Sequence, residues 1–598
     1  MTTPRNCSFI DSPASAAIPF SPHDMPHPSS QSPEIEPKPV HLVVIGGVAG
    51  GATAAARARR VNERAEITLV ERGPYVSFAN CGLPYFIAGA IEDRERLLLQ
   101  TPEGFQRRYR VNALLHTEAT AIDRASNRVR VRGPEGETWL PYDRLILAQG
   151  GNPIVPPIPG GDAPHVFTLW TVPHMDLIHG FIEREAPKTA VVIGGGFIGL
   201  EMAEAFAKRG VETTVVELQP TLMPPMDHEF GHQIANAFIE NGVHVITGVS
   251  VTHIHGDNKN VQLSDGRRIP AELVLFAVGV RPELELAKQA GLAIGASGSL
   301  LVDNELRTSD PNIFAAGDMA EVEQFVSHRR VRVPLAGPAN RQGRIAASNA
   351  LGMHMPYDGA LSTSVVKVFD ATAAMTGLSE ATARAAGFDV GVAIVHAGSH
   401  ASYYPGAREL SLKIVYEKPT GLLLGAQAFG HGGVEKRIDV LAMALRGRMS
   451  LHDLAVVDLA YAPPYSSAND PINIAGFVGE NDLSGFSPLI SPQALRAELQ
   501  SSTPPIVLDV RTVLEYESAH LTGARNIPVD ELRDAIPDLD LDLDLDERLV
   551  IYCRAGYRGH LALRILKEHG FTNLVNVTGG WVSLELLGGL ATTIDPLA

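Results

Sequence analysis

The sequence predicts an α/β protein of several domains: two dinucleotide-binding domains, an α+β domain after them, and a smaller α/β domain at the C-terminus. Three observations lead there. A pattern of strand, glycine-rich turn, helix, strand and terminal acid occurs twice, at Val40–Glu71 and Ala190–Glu217. After about Leu361 the glycine turns stop, and the segment reads as mixed strands and helices. A Gly/Ser/Pro stretch beginning at Ser484 then sets off a last unit with its own strand running into a cysteine loop. A chain of 598 residues has room for several domains of roughly 100–200 residues each.

Composition narrows the function. Hydrophobic residues make up 45% and charged residues 20%, as in an ordinary water-exposed globular protein. The formal net charge of -17 argues against nucleic acid or an anionic membrane as partner. The three cysteines, Cys7, Cys81 and Cys553, are too few and too far apart for a disulfide framework, and no pair has metal-ligand spacing. No apolar run approaches the roughly 20 residues of a membrane span. The first residues lack a basic segment followed by an apolar core, so a cytoplasmic location is expected. Residues 1–38, rich in Ser and Pro, are expected to be a disordered tail. The alternating run Asp538–Glu547 is expected to be a solvated loop, because so much acid at short spacing repels itself.

In the first unit, His41–Ile45 reads as a buried parallel strand, and Gly46, Gly47, Val48, Ala49, Gly50 and Gly51 as the turn. An Ala/Arg-rich helix follows, then strand Glu66–Val70 and Glu71, with Arg72 beyond it. In the second, Gly194, Gly195, Gly196, Phe197, Ile198 and Gly199 form the turn, and strand Glu212–Val216 ends at Glu217. Free N–H groups at a helix N-terminus bind pyrophosphate, glycines let the backbone approach it, and the terminal acid takes a ribose hydroxyl. Two such units imply two nucleotides. Leu218-Gln219-Pro220 after Glu217 offers no Arg for a 2′-phosphate, which favours NADH over NADPH.

The string from Thr308 to Gly317-Asp318 resembles the second FAD motif of the pyridine nucleotide–disulfide oxidoreductases. The segments around Gly150 and Gly279 resemble that superfamily's two crossover strands, with Gln149 in place of the usual Thr. The resemblance implies FAD, with Asp318 on its ribityl chain. It divides the chain into Rossmann-like FAD-binding parts at 39–160 and 286–358, an NAD-binding domain at 161–285 and a dimerisation domain at 359–483.

Ser77-Phe78-Ala79-Asn80-Cys81-Gly82-Leu83-Pro84-Tyr85 resembles the coenzyme A disulfide reductase branch, which also holds NADH oxidases and persulfide reductases. There one cysteine beside the flavin, here Cys81, is the sole redox thiol. A lone thiolate attacks a disulfide or persulfide and keeps part of it as a mixed disulfide. NADH peroxidases and oxidases carry a His in the first turn where this chain has Ala49, which favours sulfur–sulfur reduction. By resemblance Tyr403 and Tyr461 act from the partner subunit of a homodimer. Thr53, Arg57, Arg60, Ser77 and Asn80 match coenzyme A contacts. Asn469 stands where the branch often has Lys, which weakens the expectation that coenzyme A is part of the substrate.

After an expected linker at 484–490, residues 491–598 resemble a rhodanese domain: Val507–Arg511, His520–Pro528, Cys553–Arg558 and Asn576–Trp581 carry the match. Backbone N–H groups curled around Cys553, and nearby arginine, stabilise a thiolate and an anionic persulfide. Four residues separate Cys553 from Arg558, one fewer than in phosphatases on this fold, so the cradle suits a single sulfur. Arg558 is assigned a catalytic role there, and Arg554, Gly556 and Tyr557 a substrate-binding one. The expected function is an FAD-dependent reductase that uses NADH to reduce a persulfide, a polysulfide or coenzyme A disulfide through Cys81, with Cys553 carrying sulfane sulfur. An NADH oxidase and a non-enzymatic, sulfur-sensing flavoprotein are the alternatives.

Overall fold

The apolar run after Val40 forms the central strand of a parallel sheet. The computed structural model describes residues 38–587 and 591–593; all of the expected tail but Lys38, Cys7 included, lies outside the described residues. Strand β1 (His41–Ile45) has four of its five residues buried. Branched apolar side chains on both faces suit a parallel strand covered on both sides. Helix α1 (Ala49–Val61) crosses to β2 (Glu66–Val70). After the short helix α2 (Leu83–Ile87) come β3 (Val111–Leu114) and β4 (Arg144–Leu147), giving the parallel order β4-β1-β2-β3. Strand β5 (Gly151–Pro153) then leaves this sheet.

The second sheet repeats the plan. It contains β6 (Val166–Thr168), β7 (Thr189–Ile193), helix α3 (Phe197–Lys208), β8 (Glu212–Glu217), helix α4 (His228–Glu240), β9 (His244–Thr247) and β10 (Leu273–Phe276). Its parallel order is β9-β8-β7-β10-β6. Strand β11 (Val280–Pro282) pairs antiparallel with β5, Arg281 opposite Asn152, so the two crossovers between the sheets are one ribbon. Strand β12 (Ile313–Ala315) returns to the first sheet beside β4. Helix α5 (Ala336–Ala350) then packs on α1. A side chain at Gly343 would collide with the Gly50 carbonyl, so these helices meet backbone to backbone.

The third sheet is antiparallel. It holds β13 (Ser364–Val368), β14 (Ala371–Gly377), then, after helix α6 (Glu380–Ala386), β15 (Val390–Gly398), β16 (Glu409–Glu417) and β17 (Leu423–Gly430), in the order β13-β14-β17-β16-β15. Helix α7 (Pro471–Leu483) follows. The stretch expected to be a linker is packed: Ser487 is buried, and Leu489–Ile490 form β18, an edge strand. After helix α8 (Pro492–Leu499), the last parallel sheet contains β19 (Ile506–Asp509), β20 (Arg525–Asn526), β21 (Leu549–Tyr552) and β22 (Leu574–Val577), in the order β18-β22-β21-β19-β20. Helix α9 (Leu532–Asp542) lies between β20 and β21, α10 (Tyr557–Glu568) follows β21, and α11 (Gly580–Leu587) follows β22. The expectation of a loop over Asp538–Glu547 is thus corrected in its first half: residues 538–542 finish α9, while 543–547 form the turn that follows. The helix is anchored upstream by Leu532 and Ile536, both buried, and so it extends into the acidic run. Among the described residues, no helix is long and apolar enough to cross a membrane.

A buried ion cluster ties three of these layers together. Lys413 of β16 is 1% exposed, and its Nζ lies 2.6 Å from Glu229 Oε1, 2.8 Å from Glu380 Oε2 and 3.0 Å from Asp227 Oδ2. Gln493 of α8 donates to Glu229 Oε2 at 3.1 Å. Burial alone would lower the lysine pKa; the carboxylates of Glu229, Asp227 and Glu380 raise it instead. Removing one partner of such a cluster strands buried charge. Lys413→Met is therefore expected to destabilise the fold by about 3–5 kcal/mol, seen as a lower midpoint of thermal unfolding. An unchanged midpoint would show that the carboxylates are neutralised in another way.

Candidate active site

Both glycine turns are built alike. Gly46 and Gly194 follow β1 and β7 with φ of +98° and +111°. A Cβ at either would collide with the carbonyl of Ala148 or Ala277. Gly51 and Gly199 let α1 and α3 close onto those turns. At the ends of β2 and β8 the two acids are held in matching ways. Glu71 accepts from Gly47 N at 2.7 Å and Gly73 N at 2.6 Å. Glu217 accepts from Gly195 N at 2.6 Å and Gln219 N at 2.7 Å. Each carboxylate is fixed beside its turn, where a ribose hydroxyl would meet it.

One cavity of about 1610 Å³ joins the two turns. Gly46, Gly47, Ala49, Gly50, Glu71 and Arg72 line one arm, and Gly194, Gly196, Phe197, Ile198 and Glu217 line the other. Gly150, Gly279, Gly317, Asp318, Asn80 and Cys81 also line it. Gly51 and Gly199 lie behind it and shape it by packing. The cavity has the glycine cradles for two dinucleotides, and the buried Gln149 Oε1 at its wall has no partner in the protein, as a site for a polar ligand would leave it. Burial pushes the Asp318 carboxyl up to about 6, against the pull of Arg332.

Cys81 sits in a one-turn 3₁₀ segment, Asn80–Gly82, that runs into α2. Its exposed surface opens into the cavity. Burial, then the carboxylates of Glu201 and Asp318, push its thiol up. Two neighbours escaped the sequence reading. Tyr85 OH donates to Glu201 Oε1 at 3.1 Å, and burial, reinforced by Glu204, pushes the Glu201 carboxyl up to about 7. The signal was an acid, Glu201, in the apolar helix start Phe197-Ile198-Gly199-Leu200. Above about pH 7 Glu201 carries charge and opposes ionisation of Cys81. Glu201→Gln is thus expected to speed alkylation of Cys81 by iodoacetamide at pH 8. A rate equal to wild type would remove Glu201 from the thiol's environment.

The other candidates fall into three places. Thr53, Arg57 and Arg60 lie on α1, the first two bonded to α5, and none of them lines the cavity. Thr53 Oγ1 donates to Asn340 at 2.5 Å, Arg57 Nε to Ser348 Oγ at 2.9 Å, and Arg60 Nε to the Ala56 carbonyl at 3.1 Å. Burial, Arg344 and Arg60 lower the Arg57 pKa, which marks a cluster of guanidinium groups that includes the unforeseen Arg344. Ser77, at φ +47°, donates its N–H to the Gly47 carbonyl at 2.7 Å. Tyr403 and Tyr461 meet on the surface, hydroxyl to hydroxyl at 2.8 Å, 73% and 47% exposed and away from the cavity of their own chain. Asn469 is exposed.

The third place is the loop Cys553–Arg558 between β21 and α10. Cys553 is buried, and its sulfur accepts from Gly556 N at 3.1 Å. Gly556, at φ +100°, turns that N–H inward, and Asn576 Nδ2 holds its carbonyl at 3.0 Å. Arg558 grips Glu515 through two bonds of 2.7 Å, and Arg554 pairs with Glu409 at 3.1 Å. Arg558 holds the Glu515 carboxyl down to about 2. The expectation that arginine supplies net positive charge to the sulfur is therefore qualified, since both guanidinium groups are paired with carboxylates. Backbone N–H is the donor that reaches the sulfur. Tyr557 is exposed at the rim.

Two dinucleotide cradles opening on one cavity that contains a thiol define a nucleotide-dependent oxidoreductase acting at sulfur. The chain belongs to the pyridine nucleotide-disulphide oxidoreductase family: that family's sequence profile matches residues 40–343. The family's dimerisation domain matches residues 363–470, and a rhodanese-like domain matches 491–586. Membership implies FAD and NAD(P)H as cofactors. A CoA-dependent NAD(P)H sulfur oxidoreductase of Pyrococcus abyssi is 37% identical over 72% of this chain and 96% of its own length. The crystal structure of reduced CoADR-RHD from Bacillus anthracis covers 92% of this chain and 98% of its own, with a TM-score of 0.88 and 40% identity. An NAD-dependent persulfide reductase of A. fulgidus covers 90% of this chain and 99% of its own, with a TM-score of 0.83 and 37% identity.

Proposed function

We propose that the protein uses NADH to reduce the sulfur–sulfur bond of a thiol persulfide through Cys81, and that Cys553 carries sulfane sulfur. The observation that carries this is the presence of two thiols in two settings in one chain: Cys81 opens into the dinucleotide cavity, and Cys553 sits in a loop whose Gly556 N–H reaches its sulfur. Coenzyme A disulfide alone would leave the second cysteine without a task.

The Cys81 thiolate attacks the inner sulfur of R–S–SH. That S–S bond breaks, HS⁻ departs, and a mixed disulfide of Cys81 with R–S remains. Flavin and nicotinamide, held at the two glycine turns with Glu71 and Glu217 and lined by Asp318, would supply the two electrons that return the thiolate and release R–S⁻. The sum is NADH + H⁺ + R–S–SH → NAD⁺ + R–SH + H₂S. The guanidinium cluster of Arg57, Arg60 and Arg344 favours a phosphorylated carrier such as coenzyme A. The exposed Tyr403–Tyr461 pair, on a domain of the dimerisation type, favours a homodimer in which Tyr403 and Tyr461 of the partner subunit protonate the departing thiolate. The Glu217 carboxylate, fixed at the end of β8, would repel a 2′-phosphate and favours NADH over NADPH.

The test is NADH oxidation coupled to sulfide release, comparing coenzyme A persulfide, glutathione persulfide, polysulfide and coenzyme A disulfide. One sulfide per NADH is expected, with the highest kcat/KM for a persulfide. NADH consumption matched by oxygen uptake, with no sulfide, would establish an oxidase instead.

A further inference from the structure

The cysteine loop of the last domain is braced by an element far from it in sequence. Its carbonyls are held by the start of α11: Trp581 N donates to the Cys553 carbonyl at 2.7 Å, and Val582 N to the Arg554 carbonyl at 3.1 Å. That helix start is in turn held by the edge strand β15 of the third sheet. Ile394 N donates to Thr578 Oγ1 at 2.7 Å. His396 bridges Ser411 Oγ through Nδ1 at 2.9 Å and Ser583 Oγ through Nε2 at 2.8 Å. Thr578, Ser583 and Ser411 are all buried. The approach is tight: a Cβ on Gly579 would meet the Ile394 side chain at 2.9 Å and the His396 Nε2 at 3.0 Å. A third tie runs from Glu409 of β16 to Arg554 in the loop itself.

We propose that β15 is part of the sulfur-transfer site and that His396 is a positioning residue for Cys553, acting through Ser583 and the first N–H groups of α11. Burial and then Arg554 bring the imidazole down to about 4, so it stays neutral, with one nitrogen donating and the other accepting. It thereby serves both serines without charge. The loop is then held with the Gly556 N–H aimed at sulfur. In that arrangement the Cys553 thiolate attacks the outer sulfur of R–S–SH, the donor's S–S bond breaks, and R–S⁻ leaves and takes a proton from water. Cys553 keeps the sulfur as its own persulfide, with no net oxidation. The consequence is that sulfur uptake depends on the docked arrangement of the last domain against the third sheet.

The inference rests on Cys553 being the sulfur carrier. The experiment uses the full chain with FAD bound and glutathione persulfide as donor. Mass spectrometry of the Cys553 peptide follows the gain of one sulfur atom, and hydrogen exchange follows the Trp581 amide. His396→Leu and Ser583→Ala are each expected to slow uptake about fivefold and to speed that exchange. His396→Gln, which keeps a hydrogen-bonding side chain, is expected to recover most of the rate. Wild-type uptake and exchange in both damaged variants would overturn the proposal, as would a Gln variant no better than Leu. Should the Leu variant fail to fold, Ser583→Ala, which loses one hydroxyl, decides alone. Failure of the carrier reading is seen separately, as wild-type protein that gains no sulfur on Cys553.

Discussion

Cys81→Ser is expected to lower NADH-dependent sulfur reduction by at least about a thousandfold. A serine hydroxyl stays protonated at neutral pH and cannot form a mixed disulfide, so the electron path has no entry to the substrate. The cofactor site should survive. The turns that shape it are made by Gly46, Gly51, Gly194 and Gly199, and the acids Glu71 and Glu217 are held by backbone N–H groups; none of these contacts involves the sulfur of Cys81. Flavin absorbance should therefore match wild type while sulfide release from a persulfide disappears. Sulfide release within tenfold of wild type would remove Cys81 from the reaction.

Cys553→Ser is expected to abolish sulfur uptake by the last domain, again by about a thousandfold or more, while turnover of coenzyme A disulfide continues. The loop is shaped to hold sulfur with Gly556 N–H at 3.1 Å, and a shorter, harder oxygen neither attacks sulfane sulfur nor retains it. The measurement is transfer of sulfane sulfur to an acceptor thiol, run beside NADH oxidation with coenzyme A disulfide. Parallel loss of both activities would mean that the two cysteines do not work as separate stations. Intact sulfur transfer would take Cys553 out of it.

Much of the architecture could be read along the chain because it depends on local rules. A glycine that must follow a parallel strand with positive φ, as Gly46 and Gly194 do, is visible as a glycine. An acid closing the second strand, as Glu71 and Glu217 do, is visible at its spacing. The Asp538–Glu547 run divides at Asp542: alternation describes composition, which suits the loop over 543–547, whereas the helix before it is decided by Leu532 and Ile536 packing into the core.

The two dinucleotide units, Cys81 with its flanking string and the loop that begins at Cys553 can be read along the chain, since each is a short string whose chemistry follows from neighbouring residues. Which distant groups meet is set by packing. It put Glu201 beside Cys81, Arg344 beside Arg57, Glu515 on Arg558 and His396 behind the Cys553 loop. A backbone turn is dictated by the residues forming it, while the electrostatics of a buried thiol depend on charges brought from other helices and strands.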